Sequence, residues 1–387
     1  MFRIEEVNNP NRVFGLDVFR AIAILIVIVG HANFFLVPYF SYEIGNSNLG
    51  NILRTAFTAF DGVDLFFVLS GFLIGGIILK QFLAKDKITL MDLKTFWFRR
   101  WLRTLPAYYF ILIVNIVLLF SLIPLPEFSN SSLINYFFFL QNMIHGGIIF
   151  FSESWSLSVE EWFYLTFPVL FAVTCLVNPS VINRSRLFLV TCLVFITLIL
   201  SYRIFKSIDY PMWNLAQWNN EFRTVTIARL DSILFGVFFA FIKYSKPVFF
   251  DSKKNLFLIL GFLVLATNFY LGYVLNWTNK GRYMCTIYYS VLSFGMACFL
   301  PYAESVKKAR YKFLAFFTFI SIISYSLYLI NYSIVLELSL KYLNPEGLMQ
   351  RISCYIGFII ISIFGATILY KIIEKPVLNY RDRVVKA

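Results

Sequence analysis

Apolar runs of about 20 residues recur from end to end of this chain, each long enough to cross roughly 30 Å of hydrocarbon. That feature points to a polytopic membrane protein. Candidate spans fall at 14–37, 59–80, 105–123, 157–177, 187–205, 225–243, 255–275, 284–302, 313–338 and 352–373. No stretch between them has the composition of a soluble domain or a flexible linker. Residues 1–387 therefore read as one all-α, polytopic integral-membrane domain of about ten helices. Composition agrees: 59% of residues are hydrophobic and only 14% charged, where soluble chains carry close to a quarter. The opening "MFRIEEVNNPNRVFGLD" lacks a short apolar core and a small-residue cleavage site, so the first run reads as a retained span rather than a signal peptide.

Ten spans put both termini on one side, and the basic residues say which. Of the 34 Lys and Arg, 24 fall in the segments on the side of the termini or, as Lys80, Lys243 and Lys371 do, at the span ends that border them; seven fall in the opposite segments, and Arg20, Arg203 and Arg229 lie deeper within spans. Positive residues accumulate on the cytoplasmic side, so both termini are expected there. The net charge of +13 is then loop charge that orients the chain, not a nucleic-acid footprint. One stretch, "LINYFFFLQNMIHGGIIFF" at 133–151, is apolar enough to span, yet counting it would invert every later loop. It reads as a re-entrant or interfacial segment on the outer side. The five cysteines lie in or beside apolar runs without zinc or redox spacing, so they read as packing residues and no metal site is expected.

The first span, "RAIAILIVIVGH", opens on Arg20 and closes on His31, eleven residues apart. At about 100° per residue the two share one helix face, separated by about 16 Å along the axis. With the chain entering from inside, Arg20 sits in the inner half and His31 in the outer third. Arg20 either snorkels to the inner headgroups or pairs with Asp17, or it faces a polar cavity. His31 is either a buried histidine bonded to a neighbouring helix or a proton acceptor, and only His145 shares its chemistry in this chain.

Other ionisable residues gather at the expected depth of His31. Asp64 begins the second span behind a capping Asp61. In "SWSLSVEEWFYL", Ser158 and Glu161 fit a capping box, leaving Glu160 without a structural task. Arg229 and Asp231 in "TIARLDSILFG" read as a mutual ion pair or as part of a site. Five such groups from four spans at one depth suggest a water-accessible chamber. Glycines 71, 75 and 76 permit close helix approach. On the inner side, "FWFRRWLRTLPAYY" places Arg99 or Arg100 beside Arg103, either as orienting charge or as a phosphate grip.

In chain order, "RAIAILIVIVGH", "DGVDLFFVLSGFLIG", "FRRWLRTLPAYY", "SWSLSVEEWFYL", "ARLDSILFG", "SYSLYLI" and "IEKPVLNY" form a series similar to that of the acyltransferase-3 family of bacterial integral-membrane O-acyltransferases of surface glycans. Each motif is weak alone; the ordered series is specific and covers nearly the whole chain. The resemblance implies a multi-pass protein of the bacterial cytoplasmic (inner) membrane. It would move an acyl group, commonly acetyl, from cytoplasmic acyl-CoA to a hydroxyl of a cell-surface or exported glycan. Its partners would be acyl-CoA, a glycan or lipid-linked saccharide, and membrane lipid; no permanently bound cofactor is implied. His31 matches the essential histidine, Arg20 its companion, Arg99, Arg100 and Arg103 the basic motif, and Glu160 the acidic position. One departure stands out: where family members commonly follow "SYSLYL" with histidine, this chain has Asn331. The sequence shows no appended esterase-like domain, so the stand-alone form is expected.

These roles combine into an expected mechanism. His31 would act as general base, with Asp64 or Glu160 fixing its tautomer. Arg20, Arg99, Arg100 and Arg103 would hold the donor, and Arg229, beside Asp231, would face the oxyanion or the acceptor. A covalent acyl-His31 intermediate is equally open. The competing classes are a transporter of a lipid-linked sugar or organic anion, against which no paired broken helices are visible, and a scaffold in glycan assembly. Trp213 and Trp218 could stack on sugars or anchor at the interface.

Overall fold

The computed structural model describes residues 12–39, 62–82, 85, 88–122, 130–148, 150–177, 184–208, 212–274, 280–309 and 311–384. Its main helices are α1 (Phe14–Ala32), α2 (Gly62–Phe82), α3 (Leu90–Ser121), α4 (Asn130–Phe137), α5 (Ser154–Val177), α6 (Arg184–Lys206), α7 (Leu230–Ser245), α8 (Lys254–Phe269), α9 (Tyr288–Ala297), α10 (Ala315–Ile330), α11 (Leu348–Leu369) and α12 (Lys375–Val384). Among the described residues the only strand pairing joins Met212–Trp213 to Lys280–Gly281.

Among the described residues, eight helical stretches are long and apolar enough to cross a membrane, which establishes an all-α polytopic fold. The expected spans at 225–243 and 284–302 are not among them. The first begins only at Leu230, giving the 16 residues of α7, about 24 Å of helix. The second is interrupted on both sides of α9, which has 10 residues. Both lie against protein: α7 packs along α2, with α6 and α9 also against it.

The α2–α7 contact shows why small residues stand where they do. A Cβ on Gly71 would come 1.9 Å from the Ile233 carbonyl oxygen, and one on Gly236 would come 1.9 Å from that of Val68. Each helix thus brings a glycine against the other's backbone, an approach no side chain permits. Gly75 rests on Val237 and Ala240, whereas Gly76 meets nothing. Gly62, at the start of α2, meets the Ala23 carbonyl and Val27 of α1, which fixes the depth at which α2 enters. Asp61, the expected cap of α2, lies outside the described residues.

The 133–151 stretch does not cross as a helix. α4 has eight residues, about 12 Å. Beyond it the backbone turns through positive φ at Phe139 (57°), Gly147 (79°) and Phe151 (47°). Buried Asn142 anchors this path: its side-chain amide donates to the Trp155 and Thr224 carbonyls, and its own carbonyl accepts from Thr226 N–H. Irregular backbone is stable in a membrane protein when protein supplies its partners in this way.

Candidate functional site

Helix α10 serves as an internal ruler. Ser321 donates to Asp17 near the start of α1, Tyr325 donates to the Thr104 carbonyl of α3, and Tyr328 bonds Ser156 of α5. Asn331, immediately after α10, bonds His31 of α1. From Ser321 to Asn331 the chain rises about 15 Å, so these contacts order the side chains of four helices by depth.

At the level of Ser324, Tyr325 and Tyr328 lies a cavity of about 100 Å³. Arg20, Arg100, Arg103 and Glu160 contribute its charge, and Ser70 and Tyr164 add hydroxyls. Arg100 and Arg103, three residues apart on α3, share a face as i,i+3 neighbours do; Arg99 does not line the cavity. Among the described residues, no hydrogen bond or ion pair to protein occupies the guanidinium groups of Arg20, Arg100 or Arg103. Asp17, the expected partner of Arg20, instead pairs with Arg12. Three cations left unpaired against one cavity form an anion site, since guanidinium forks match phosphate and carboxylate bidentately.

Glu160 belongs to this cavity and not to the histidine. Its carboxylate accepts from Tyr164 at 2.9 Å, and the Tyr164 hydroxyl also bonds Ser70. The expected capping box is absent because α5 begins at Ser154, four residues before Ser158. Ser158 turns back to the Ser154 carbonyl, and Glu161 accepts from Thr104 at 2.7 Å.

Above the cavity, His31 Nδ1 meets Asn331 Oδ1, and Tyr332 stands edge-on to the imidazole with ring centroids 4.8 Å apart. The amide nitrogen of Asn331 is committed to the Leu327 and Tyr328 carbonyls, each at 2.8 Å. That assignment turns Oδ1 toward His31, so Nδ1 donates to it, and in a neutral ring the lone pair then falls on Nε2. The group holding this histidine at Nδ1 is therefore an amide, not the carboxylate of Asp64 or Glu160. Asn331 begins a π-helical turn, Asn331–Leu336, a widening often found at functional sites.

Comparison with known proteins identifies the family. The acyltransferase-3 family model, described as an acyltransferase domain, matches residues 13–371. The chain belongs to the acyltransferase-3 family. It is 28% identical over 397 residues to the O-acetyltransferase OatA of Staphylococcus aureus (strain NCTC 8325), covering 97% of this chain and 58% of that protein. It is 34% identical over 173 residues to the peptidoglycan O-acetyltransferase OatA of Listeria monocytogenes, covering 41% of this chain and 24% of that protein. The chain thus spans less than three-fifths of the length of these relatives. No solved structure matches it.

The remaining charges of this acyltransferase-3 chain pair differently from expectation. Arg229 bonds Asp64 rather than Asp231, and both side chains are 0% exposed. Asp231 bonds Arg203 at 2.6 Å, also at 0% exposure, with Ser290 bridging the two. The Arg229 guanidinium lies 3.5 Å from the centre of the Tyr289 ring. A cation neutralised by a buried carboxylate and covered by a ring is poorly placed to receive an oxyanion, which corrects the role expected for Arg229. Asp64 is also too deep for His31. Gly62 meets the Ala23 carbonyl and Val27, eight and four residues before the histidine, and α2 runs inward from there, so Asp64 lies about 9–15 Å lower. Sequence reasoning placed Arg203 inside a span without finding its partner; the signal was there, since a buried arginine requires one. Trp218 is buried, with its indole N–H donated to the Met284 carbonyl and its ring stacked on Tyr289, so it is neither a sugar platform nor an interfacial anchor.

Proposed function

We propose that this chain is a membrane O-acyltransferase that moves an acetyl group from cytoplasmic acyl-CoA to a hydroxyl of a cell-wall glycan, with both termini in the cytoplasm. Membership of the acyltransferase-3 family and the O-acetyltransferase activities for which the two relatives are named support the reaction class. The observation that carries the reading is the cavity in which, among the described residues, Arg20, Arg100 and Arg103 have no hydrogen bond or ion pair to protein, beneath a histidine whose Nδ1 is held by an amide. Phosphates of the donor would be gripped by Arg100 and Arg103, with Arg20 deeper along the path. The cavity's upper end is marked by Tyr328, one helical turn below Asn331, so the thioester of a threaded donor would approach His31 from below.

The chemistry then follows from the tautomer. Nε2 of His31 takes the proton of the acceptor hydroxyl as its oxygen attacks the thioester carbonyl. The tetrahedral intermediate collapses, the carbon–sulfur bond breaks, and the imidazolium returns the proton to the departing thiolate. The Asn331 carbonyl oxygen keeps the ring aligned and stabilises the imidazolium through the Nδ1 hydrogen bond. The test is transfer of labelled acetyl from acetyl-CoA to glycan by protein in vesicles, with mass spectrometry of the cell wall in parallel. His31→Ala should lower transfer by about 10²–10⁴-fold, the range of a lost general base. Wild-type transfer at background, or a His31→Ala variant as active as the parent, would overturn the reading.

A further inference from the structure

Glu153 was not singled out by the sequence, and it sits in the turn before α5, 4% exposed. Its Oε1 accepts from Ser333 twice, from the backbone N–H at 3.2 Å and from the hydroxyl at 2.7 Å. The Tyr328 hydroxyl donates to the Glu153 carbonyl at 3.0 Å. Its Oε2 is buried with no hydrogen-bond partner among the described residues. Burial pushes the carboxyl up to about 8.

We infer that Glu153 is a positioning residue for His31: it holds open the widened turn after α10 and so fixes which atom of Asn331 faces the imidazole. In a π turn, backbone groups fall out of the α register and need other partners. Here two side chains supply them. Glu153 takes the Ser333 N–H, and the Asn331 amide nitrogen takes the Tyr328 carbonyl. Without the Glu153 acceptor, the turn gains by reverting to the α register, in which the freed Ser333 N–H takes the Leu329 carbonyl and Tyr332 N–H takes the Tyr328 carbonyl. Asn331 then loses one of the two anchors that orient its amide. A flipped amide offers Nδ2 to His31, which forces the ring proton from Nδ1 to Nε2 and removes the lone pair that the proposed reaction uses. The inference deepens that reading and depends on it only for its catalytic consequence.

The chain contains two histidines, and the side chain of His145 is 75% exposed, so ¹⁵N-histidine spectra of the full chain in nanodiscs resolve His31 against a solvent-facing reference. Wild type should show a single Nδ1–H tautomer at His31. Glu153→Ala should give a mixture or the Nε2–H form, while Glu153→Gln, whose amide oxygen can still accept both Ser333 bonds, should retain the wild-type signal. In the transfer assay, Glu153→Ala should lower kcat at least about tenfold with donor KM within about twofold, and Glu153→Gln should restore it. If the Ala variant does not fold, Glu153→Leu fills similar volume without the acceptor and carries the same expectations. An unchanged His31 spectrum in the folded Ala or Leu variant overturns the inference, as does loss of the Nδ1–H signal in Glu153→Gln. A wild-type protein inactive in transfer would defeat the functional reading alone, because the tautomer readout does not require turnover.

Discussion

Two regions of this molecule use the same residue types to opposite ends. Around α7, Arg229 with Asp64 and Arg203 with Asp231 form ion pairs at 0% exposure. Between α1, α3 and α5, among the described residues, Arg20, Arg100 and Arg103 line a cavity without a hydrogen bond or ion pair to protein, and Glu160, which shares the cavity, bonds hydroxyls. A buried pair neutralises itself and leaves little field for a ligand, while unpaired guanidinium groups beside a cavity attract one. The difference separates charge that fixes helix position from charge that is available for binding.

The sharpest way to break this comparison is to remove one partner of a closed pair. Asp64→Ala leaves the Arg229 guanidinium buried and uncompensated, and stability should fall by about 3–5 kcal/mol. Thermal unfolding in detergent reads this directly, and an unchanged midpoint would mean the pair is not structural. Arg103→Ala should behave in the opposite way. Its unfolding midpoint should match the parent, while the KM for acyl-CoA rises about tenfold or more, as expected for a lost charge-assisted contact of about 1.5–3 kcal/mol. Arg99→Ala should leave that KM within about twofold, because its side chain does not line the cavity. Next in size is Gly71→Ala, which forces a methyl group into the Ile233 carbonyl and should cost about 1–3 kcal/mol in the same unfolding assay.

The smallest effect on stability is expected at Glu304, in the short helix Leu300–Ser305, which bonds Lys243 and Lys307. Burial raises its carboxyl, but hydrogen bonds from the two lysines outweigh this and hold it below the ordinary 4.5. A carboxyl depressed in the folded state stabilises it above the unfolded value, and the contribution fades as pH drops through the folded value. Glu304→Gln should therefore lose under about 1 kcal/mol near neutrality, since both lysines are substantially exposed. The difference from wild type should vanish in acid; a gap that persists there would point to packing instead.

Several of these assignments were legible before any fold was known. Arg20 and His31 sit on one helix face because helical geometry fixes both angle and rise within a helix. The choice between Arg99 and Arg100 was open in the sequence, since either neighbours Arg103; the cavity selects Arg100. Glu160 was misplaced by assuming that α5 begins near Leu157, and Asp64 by counting from the end of a span rather than from the neighbouring helix. Asn331 could be noticed as a departure from a family pattern, but its work at Nδ1 depends on a π turn that hydrophobic periodicity does not reveal.

The sequence by itself determined that this is a helical membrane protein of the acyltransferase-3 type, with eight of its ten apolar runs forming span-length helices. Run length and helical period are properties of a single segment, so a single segment can disclose them. Which arginine meets which carboxylate, and which stay unpaired, was decided only by the tertiary structure. The axial offset between neighbouring helices is set by contacts such as Gly62 on Ala23 and Gly71 on Ile233, and a shift of one turn, about 5.4 Å, exchanges every partner across the interface.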